Sequence, residues 1–397
     1  MKKYILAGAI ALSATLPGSA SDKLQTYKSN VEAALADQAI PGAALALVGP
    51  EGAIGQMCFG IADLKTGAAV TKDTAFTLGS TSKMVIGMAI VQAVEKGIIQ
   101  LDQKIAPLID FEIGFKNADQ ITFAVLAQHR SGIVDREDAY LSKATYYQGA
   151  DHPTLLGDYL KAYLSESGEH YHAATNFSKH GEYQYSNIGS ALAAYALEKA
   201  VATPFDKFTR SGIFEPLGME NTAWHLSEYQ PDELARPHYD LGMEAFAPNE
   251  FYGLATWPDG GLHSSISDFS KFIAMMINAG ELDGTRIVNK ANFDLLFAGL
   301  NDDNERGYGL FLEKFRLKGS LPDRTTFWGH TGSDPGVVTF AVYNLDWKRG
   351  VLLMLNGEPE EEMVNNFLAA SFDLFALENE FRAAPDHCNS PLRVVID

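Results

Sequence analysis

The chain has little cysteine: two residues, Cys58 and Cys388, in 397. So few exclude a disulfide framework and a cysteine-based metal site. Cys58 lies in an apolar, strand-like run, which favours a buried free thiol. The alternative, a Cys58–Cys388 bridge, requires the two Cα atoms to meet. Basic residues are also scarce, with 31 Lys and Arg against 50 Asp and Glu and a net charge of −19. A chain this acidic is a poor partner for nucleic acid or an anionic membrane. The acidity is spread along the chain and selects no substrate. There is no Gly-x-Ser-x-Gly, which excludes the α/β-hydrolase nucleophile elbow. Beyond residue 20 no apolar run is long enough to span a bilayer, and there is no internal repeat or low-complexity tract.

What is present begins with an address. Met1-Lys2-Lys3 is followed by a nearly unbroken apolar stretch, Tyr4 to Leu16, and by the small residues Gly18-Ser19-Ala20. Charge, apolar core and small residues in that order read as a secretory signal peptide over residues 1–20, cleaved after Ala20. No cysteine follows it to carry a lipid anchor. The expected location is the bacterial periplasm or the medium. The remainder, from a chain 46% hydrophobic and 11% aromatic, has the composition of a folded protein.

Strand signals sit at both ends and helical signals between them. Lys23 to Asp37 reads as an amphipathic helix, then Ala43 to Val48 and Ile54 to Ile61 as a hairpin turning at Pro50-Glu51-Gly52. Helices are expected over Ile121–Gln128, Thr154–Leu164, Ile188–Val201, Phe205–Ile213 and Ile266–Ala279. Strands return at Tyr308–Phe315, Thr325–Trp328, Val337–Leu345 and Val351–Asn356, followed by a helix from Glu360 to Glu378. The expected fold class is α+β. One antiparallel sheet is built from both chain ends (21–100 and 300–382), with a mainly helical domain inserted over 101–299 and a tail over 383–397.

The chemistry starts from a single Ser-x-x-Lys, Ser80-Thr81-Ser82-Lys83, heading the apolar run Met84 to Val94. An apolar run of this kind is a buried helix, and an i, i+3 spacing stacks hydroxyl and amine on one face. Burial favours the neutral amine, which can then take the serine's proton. Two further short motifs follow in order: Tyr185-Ser186-Asn187 before a helix, and His330-Thr331-Gly332 leading through Ser333-Asp334-Pro335-Gly336 between two strands.

These motifs are variants of the S-x-x-K, S-D-N and K-T-G set. With them the chain resembles the class C-type β-lactamase-related serine hydrolases, a family of β-lactamases, D-alanyl-D-alanine carboxypeptidases, D-amino-acid amidases and esterases. Ile40-Pro41-Gly42, the run from Gly60 to Gly67, His129-Arg130-Ser131-Gly132, Glu215-Pro216-Leu217-Gly218-Met219 and Gly260-Gly261-Leu262 extend the resemblance from about 38 to about 375. It implies a β-lactamase/transpeptidase-like fold with Ser80 as nucleophile, Lys83 as its activating partner and Tyr185 as proton shuttle, in phenol or phenolate form. Asn187 would touch the substrate amide and orient Lys83. His330, Thr331 and Gly332 would line the substrate strand, and the backbone N–H groups of Ser80 and Ser333 would form the oxyanion hole. His129 is expected only to stabilise a turn.

The implied substrate is a small molecule or peptide: a D-Ala-D-Ala-type peptide, an ester, an amide or a β-lactam. No cofactor or metal is implied, and the oligomeric state stays open. Histidine in place of lysine at 330 removes a permanent charge, leaving a group that titrates near about pH 6.5 where it faces water. A metal cluster of His170, His172 and His180 lacks a third fixed ligand in its polar loop. The non-enzymatic alternative is an inactive module that senses peptidoglycan fragments.

Overall fold

The computed structural model describes residues 20–239, 249–299, 307–316, 325–360 and 371–392. The expected signal peptide, but for Ala20, and positions 361–370 of the expected last helix lie outside them. Among the described residues no helix is long and apolar enough to cross a membrane.

The sheet runs, from one edge, Gly307–Tyr308, Glu313–Arg316, Thr326–Asp334, Val337–Asn344, Arg349–Leu355, Gly42–Gly49, Gly52–Asp63 and Asp386–Leu392. The two ends of the chain meet in its middle, where Ala43 pairs Leu355 and Leu47 pairs Val351. Period-2 alternation splits these strands cleanly. Leu45, Leu47, Phe340, Val342, Leu353 and Leu355 point to one face, under the helix Ala20–Asp37 and the helical turns Leu374–Ala383. Ala44, Ala46, Ala341 and Leu352 point to the other, where the helix Ile266–Ile277 packs on the small side chains. That second core continues through Lys83–Glu95 into Leu156–Leu164 and Asn187–Val201. The helical region therefore shares its core with the sheet.

Three expectations change. The strand expected over Tyr308–Phe315 is two short strands, because Phe311 turns the chain with φ 52°. The strand expected to stop at Trp328 continues to Asp334 and carries the whole His-Thr-Gly motif. From the tail, Asp386–Leu392 returns to the sheet and pairs parallel to Gly52–Asp63, His387 opposite Met57, in a sheet expected to be antiparallel. This brings the Cα atoms of Cys58 and Cys388 to 4.5 Å, and the two are joined in a disulfide rather than left as free thiols.

Candidate active site

The site is assembled from one turn, one helix N-terminus, one loop and one strand. Gly79 takes φ 52°, which lets the chain turn from the strand Ala75–Thr77 into the 3₁₀ turn Gly79–Ser82. The helix Lys83–Glu95 continues from it, buried from Lys83 to Ala93. Ser80 is 7% exposed and Lys83 fully buried.

Lys83 Nζ lies 2.9 Å from Ser80 Oγ, 2.7 Å from Asn187 Oδ1 and 2.6 Å from the Asp259 carbonyl oxygen. The last two can only accept hydrogen bonds; the hydroxyl can also donate. A neutral amine has two N–H donors and one lone pair, so its lone pair is left facing the serine hydroxyl. Burial pushes the lysine below its ordinary value, against the pull of Asp259, Asp334, Asp135 and Glu313.

Ser186 caps the helix Asn187–Val201 by accepting from Gly189 N at 2.8 Å, which fixes Asn187 at its first turn. Asp135 then locks the motif. Its Oδ2 accepts from Asn187 N (2.6 Å) and Nδ2 (3.0 Å), and its Oδ1 from Ser186 Oγ (2.9 Å) and Ile188 N (3.0 Å). Because Nδ2 is held by the carboxylate, Oδ1 must point to Lys83.

Tyr185 is half-buried, bonded to the Ser80 hydroxyl, and pushed well above the ordinary phenol value by burial. Its ring stacks on His129, centroids 4.3 Å apart. His129 Nδ1 accepts from Ser186 N at 3.2 Å, and burial holds the imidazole well below its usual pKa. His129 thus does more than shape a turn: it is a neutral plate that positions the Tyr-Ser-Asn segment.

The strand Thr326–Asp334 closes on the serine turn backbone to backbone. A Cβ on Gly332 would stand 2.1 Å from Leu78 O and 2.2 Å from Thr339 Oγ1. Thr339 Oγ1 in turn donates to Leu78 O (2.6 Å) and meets Thr81 Oγ1 (2.9 Å). Gly332 is therefore a packing residue. The approach puts Ser333 N beside Gly79, where a Cβ would come within 3.1 Å of it.

His330 differs from expectation: it is 1% exposed, bonds Thr331 O through Nδ1 at 2.6 Å, and has Glu313 Oε1 4.0 Å from Nε2. Its ring centroid stands 6.3 Å from that of Tyr185. Thr331 is half-buried with its hydroxyl 3.5 Å from Glu313 Oε2.

The sequence pointed to Ser80, Lys83, Tyr185, Asn187 and Ser333, which the fold does gather; it did not point to Asp135, Glu313, Asp259 or Asp334. Asp135 stands in unpatterned sequence and Glu313 within the expected strand Tyr308–Phe315, and nothing local marks either for a role in the site. Asp259 sits in the tight loop before Leu262, and Asp334 directly follows Ser333, so their positions were visible but not their burial. Each accepts from a tyrosine hydroxyl: Asp259 Oδ1 from Tyr140 at 3.0 Å, Asp334 Oδ1 from Tyr146 at 2.7 Å. Burial raises Asp259 to about 7 and Asp334 to about 6. Among the described residues no group of three or more His, Cys, Asp or Glu is placed to hold a metal ion.

The family model described as Beta-lactamase matches residues 28–373. Penicillin-binding protein 4* of Bacillus subtilis (strain 168) is 23% identical over 331 residues, 79% of this chain and 67% of that one. A D-alanine carboxypeptidase AmpC from Burkholderia cenocepacia superposes with TM-score 0.68 at 18% identity, over 90% of this chain and 99% of its own. A class C β-lactamase from Rhodobacter sphaeroides gives TM-score 0.66 at 18% identity, over 88% and 99%. At such identity these structures share the fold.

Proposed function

The chain belongs to the Beta-lactamase family, and from that premise we propose a serine hydrolase that works through an acyl ester on Ser80. The observation that carries this reading is the Lys83 amine, 2.9 Å from Ser80 Oγ, with both of its other partners restricted to accepting. Ser80 Oγ attacks the acyl carbon while its proton passes to Lys83 Nζ. The N–H groups of Ser80 and Ser333 would hold the oxyanion, each contributing about 3 to 4 kcal/mol on the scale of such donors. Tyr185, a phenol at rest, gives its proton to the departing amine or alkoxide. In deacylation the resulting phenolate takes a proton from the attacking water, and Lys83 returns its proton to Ser80 Oγ. Every group then regains its starting form.

The substrate reading is a D-Ala-D-Ala-type peptide, a small ester or an amide. Export is part of the proposal, supported by the leader-like N-terminus and by the Cys58–Cys388 disulfide, a bond that lasts in an oxidising compartment. The test is covalent labelling by an active-serine probe in wild type and Ser80→Ala, followed by kcat/KM for a D-Ala-D-Ala peptide, an ester, a D-amino-acid amide and a β-lactam. Labelling lost in Ser80→Ala with the fold intact is expected. An unlabelled wild type would point to the binding-module alternative, and dominant β-lactam turnover to a β-lactamase.

A further inference from the structure

The reading of Ser80 as nucleophile leaves open what the acyl donor carries beside its carbonyl, and the charges around the serine bear on that. The four charged groups that Lys83 feels most, Asp259, Asp334, Asp135 and Glu313, are all carboxyls. The residue expected to supply a cation, His330, is buried against Glu313. Asp135 is consumed by the Tyr-Ser-Asn segment, and Asp259 is 1% exposed beneath Tyr140.

Asp334 is placed differently. It follows Ser333 directly, so it stands next to the N–H that would bind the substrate oxygen. It is half-buried, with Oδ1 fixed by Tyr146. Its Oδ2 lies over Gly260: a Cβ there would stand 2.7 Å from Oδ2 and 3.6 Å from the carbonyl carbon of Gly79, the atom bonded to Ser80 N. Glycine at 260 therefore leaves room for this carboxylate oxygen in a loop that also borders the serine's own peptide. Tyr146 is itself held, its ring edge-on to Tyr140 at 6.1 Å and to Tyr252 at 5.4 Å. A carboxylate fixed by one oxygen on a rigid aromatic support is prepared to meet a cation with the other.

We propose that Asp334 determines specificity, selecting acyl donors with an ammonium group within a few bonds of the scissile carbonyl, amino-acyl esters and amides, over carboxylate-bearing ones. The charge attracts an ammonium and repels a carboxylate, and the partial burial of Asp334 strengthens both effects.

A matched set of p-nitrophenyl esters at pH 7 isolates the charge: D-alanyl, isobutyryl and methylmalonyl, which differ by NH3+, CH3 and carboxylate at one position. Wild type should show kcat/KM highest for D-alanyl and lowest for methylmalonyl, the D-alanyl to isobutyryl ratio falling at high salt. Asp334→Asn should lower that ratio about tenfold, mainly through KM. Equal ratios in wild type and Asp334→Asn, or a wild-type preference for methylmalonyl, would overturn the proposal. Loss of labelling in Asp334→Asn would make the residue structural, and Asp334→Glu, which keeps the charge, must then restore both labelling and the ratio or the proposal fails. Failure of the Ser80 reading is separate: it shows as undiminished turnover of all three esters in Ser80→Ala.

Discussion

Burial acts on Lys83 and Tyr185 in opposite senses, lowering the lysine and raising the tyrosine, and in each it favours the uncharged form. In the proposed hydrolase this division makes Lys83 the base and Tyr185 the acid. Lys83 works only as the free amine, so activity on a neutral ester should rise with pH through an ionisation below that of an ordinary lysine. The acid matters only where the leaving group needs a proton. Tyr185→Phe should therefore lower kcat/KM for an anilide about 10²-fold, the usual scale for such a group. For the p-nitrophenyl ester of the same acyl group the loss should be under about tenfold, because p-nitrophenolate departs unprotonated. Parallel losses on both substrates would place Tyr185 in the attack rather than in departure.

The strand Thr326–Asp334 reaches the serine turn only because residue 332 has no side chain. The atoms a Cβ would strike, Leu78 O and Thr339 Oγ1, are backbone or locked by hydrogen bonds, so neither can swing aside. Gly332→Ala should destabilise the fold by about 1 to 3 kcal/mol, the range for overpacking, and slow probe labelling of Ser80 as Ser333 moves away. A denaturant midpoint and labelling rate both unchanged would show that the contact is not tight. The same strand shows where sequence reading stops. Ser80 and Lys83 were legible because three residues of helix bring them together, and Tyr185 with Asn187 because a helix start holds them. His330 was legible as a position, but its burial depends on Glu313 from a neighbouring strand whose register no local pattern sets. Asp135 contacts Asn187 from 52 residues away, and nothing in its own neighbourhood marks it. The sheet from both ends was visible in the alternation; the parallel edge strand, with polar Asp386, His387 and Asn389, was not.

At the scale of the whole molecule, the helical turn Glu378–Ala383 is tied to the strand Arg349–Leu355. Arg349 donates to Glu378 through Nε at 2.8 Å and Nη2 at 2.7 Å, and Arg382 joins from the next turn at 2.7 Å. Arg349 first, then Arg382, holds the Glu378 carboxyl down to about 2 against an ordinary value of 4.5. A carboxyl lowered on folding stabilises the fold above its unfolded value and loses that contribution as it is protonated. Glu378→Gln should thus be less stable than wild type by a constant margin above about pH 4.5, with the margin closing towards pH 2. Urea midpoints measured across that range check it; a margin that persists at pH 2 would mean that packing, not charge, is lost. The disulfide between Cys58 and Cys388 spans 330 residues, and it sets an order in time. During synthesis Ser80 and Lys83 are made early, whereas Gly42–Gly49 waits for Arg349–Leu355 and Cys58 waits for Cys388. An unfinished chain therefore holds Ser80 and Lys83 without Ser333, and the three come together only when the strand bearing that residue has been made.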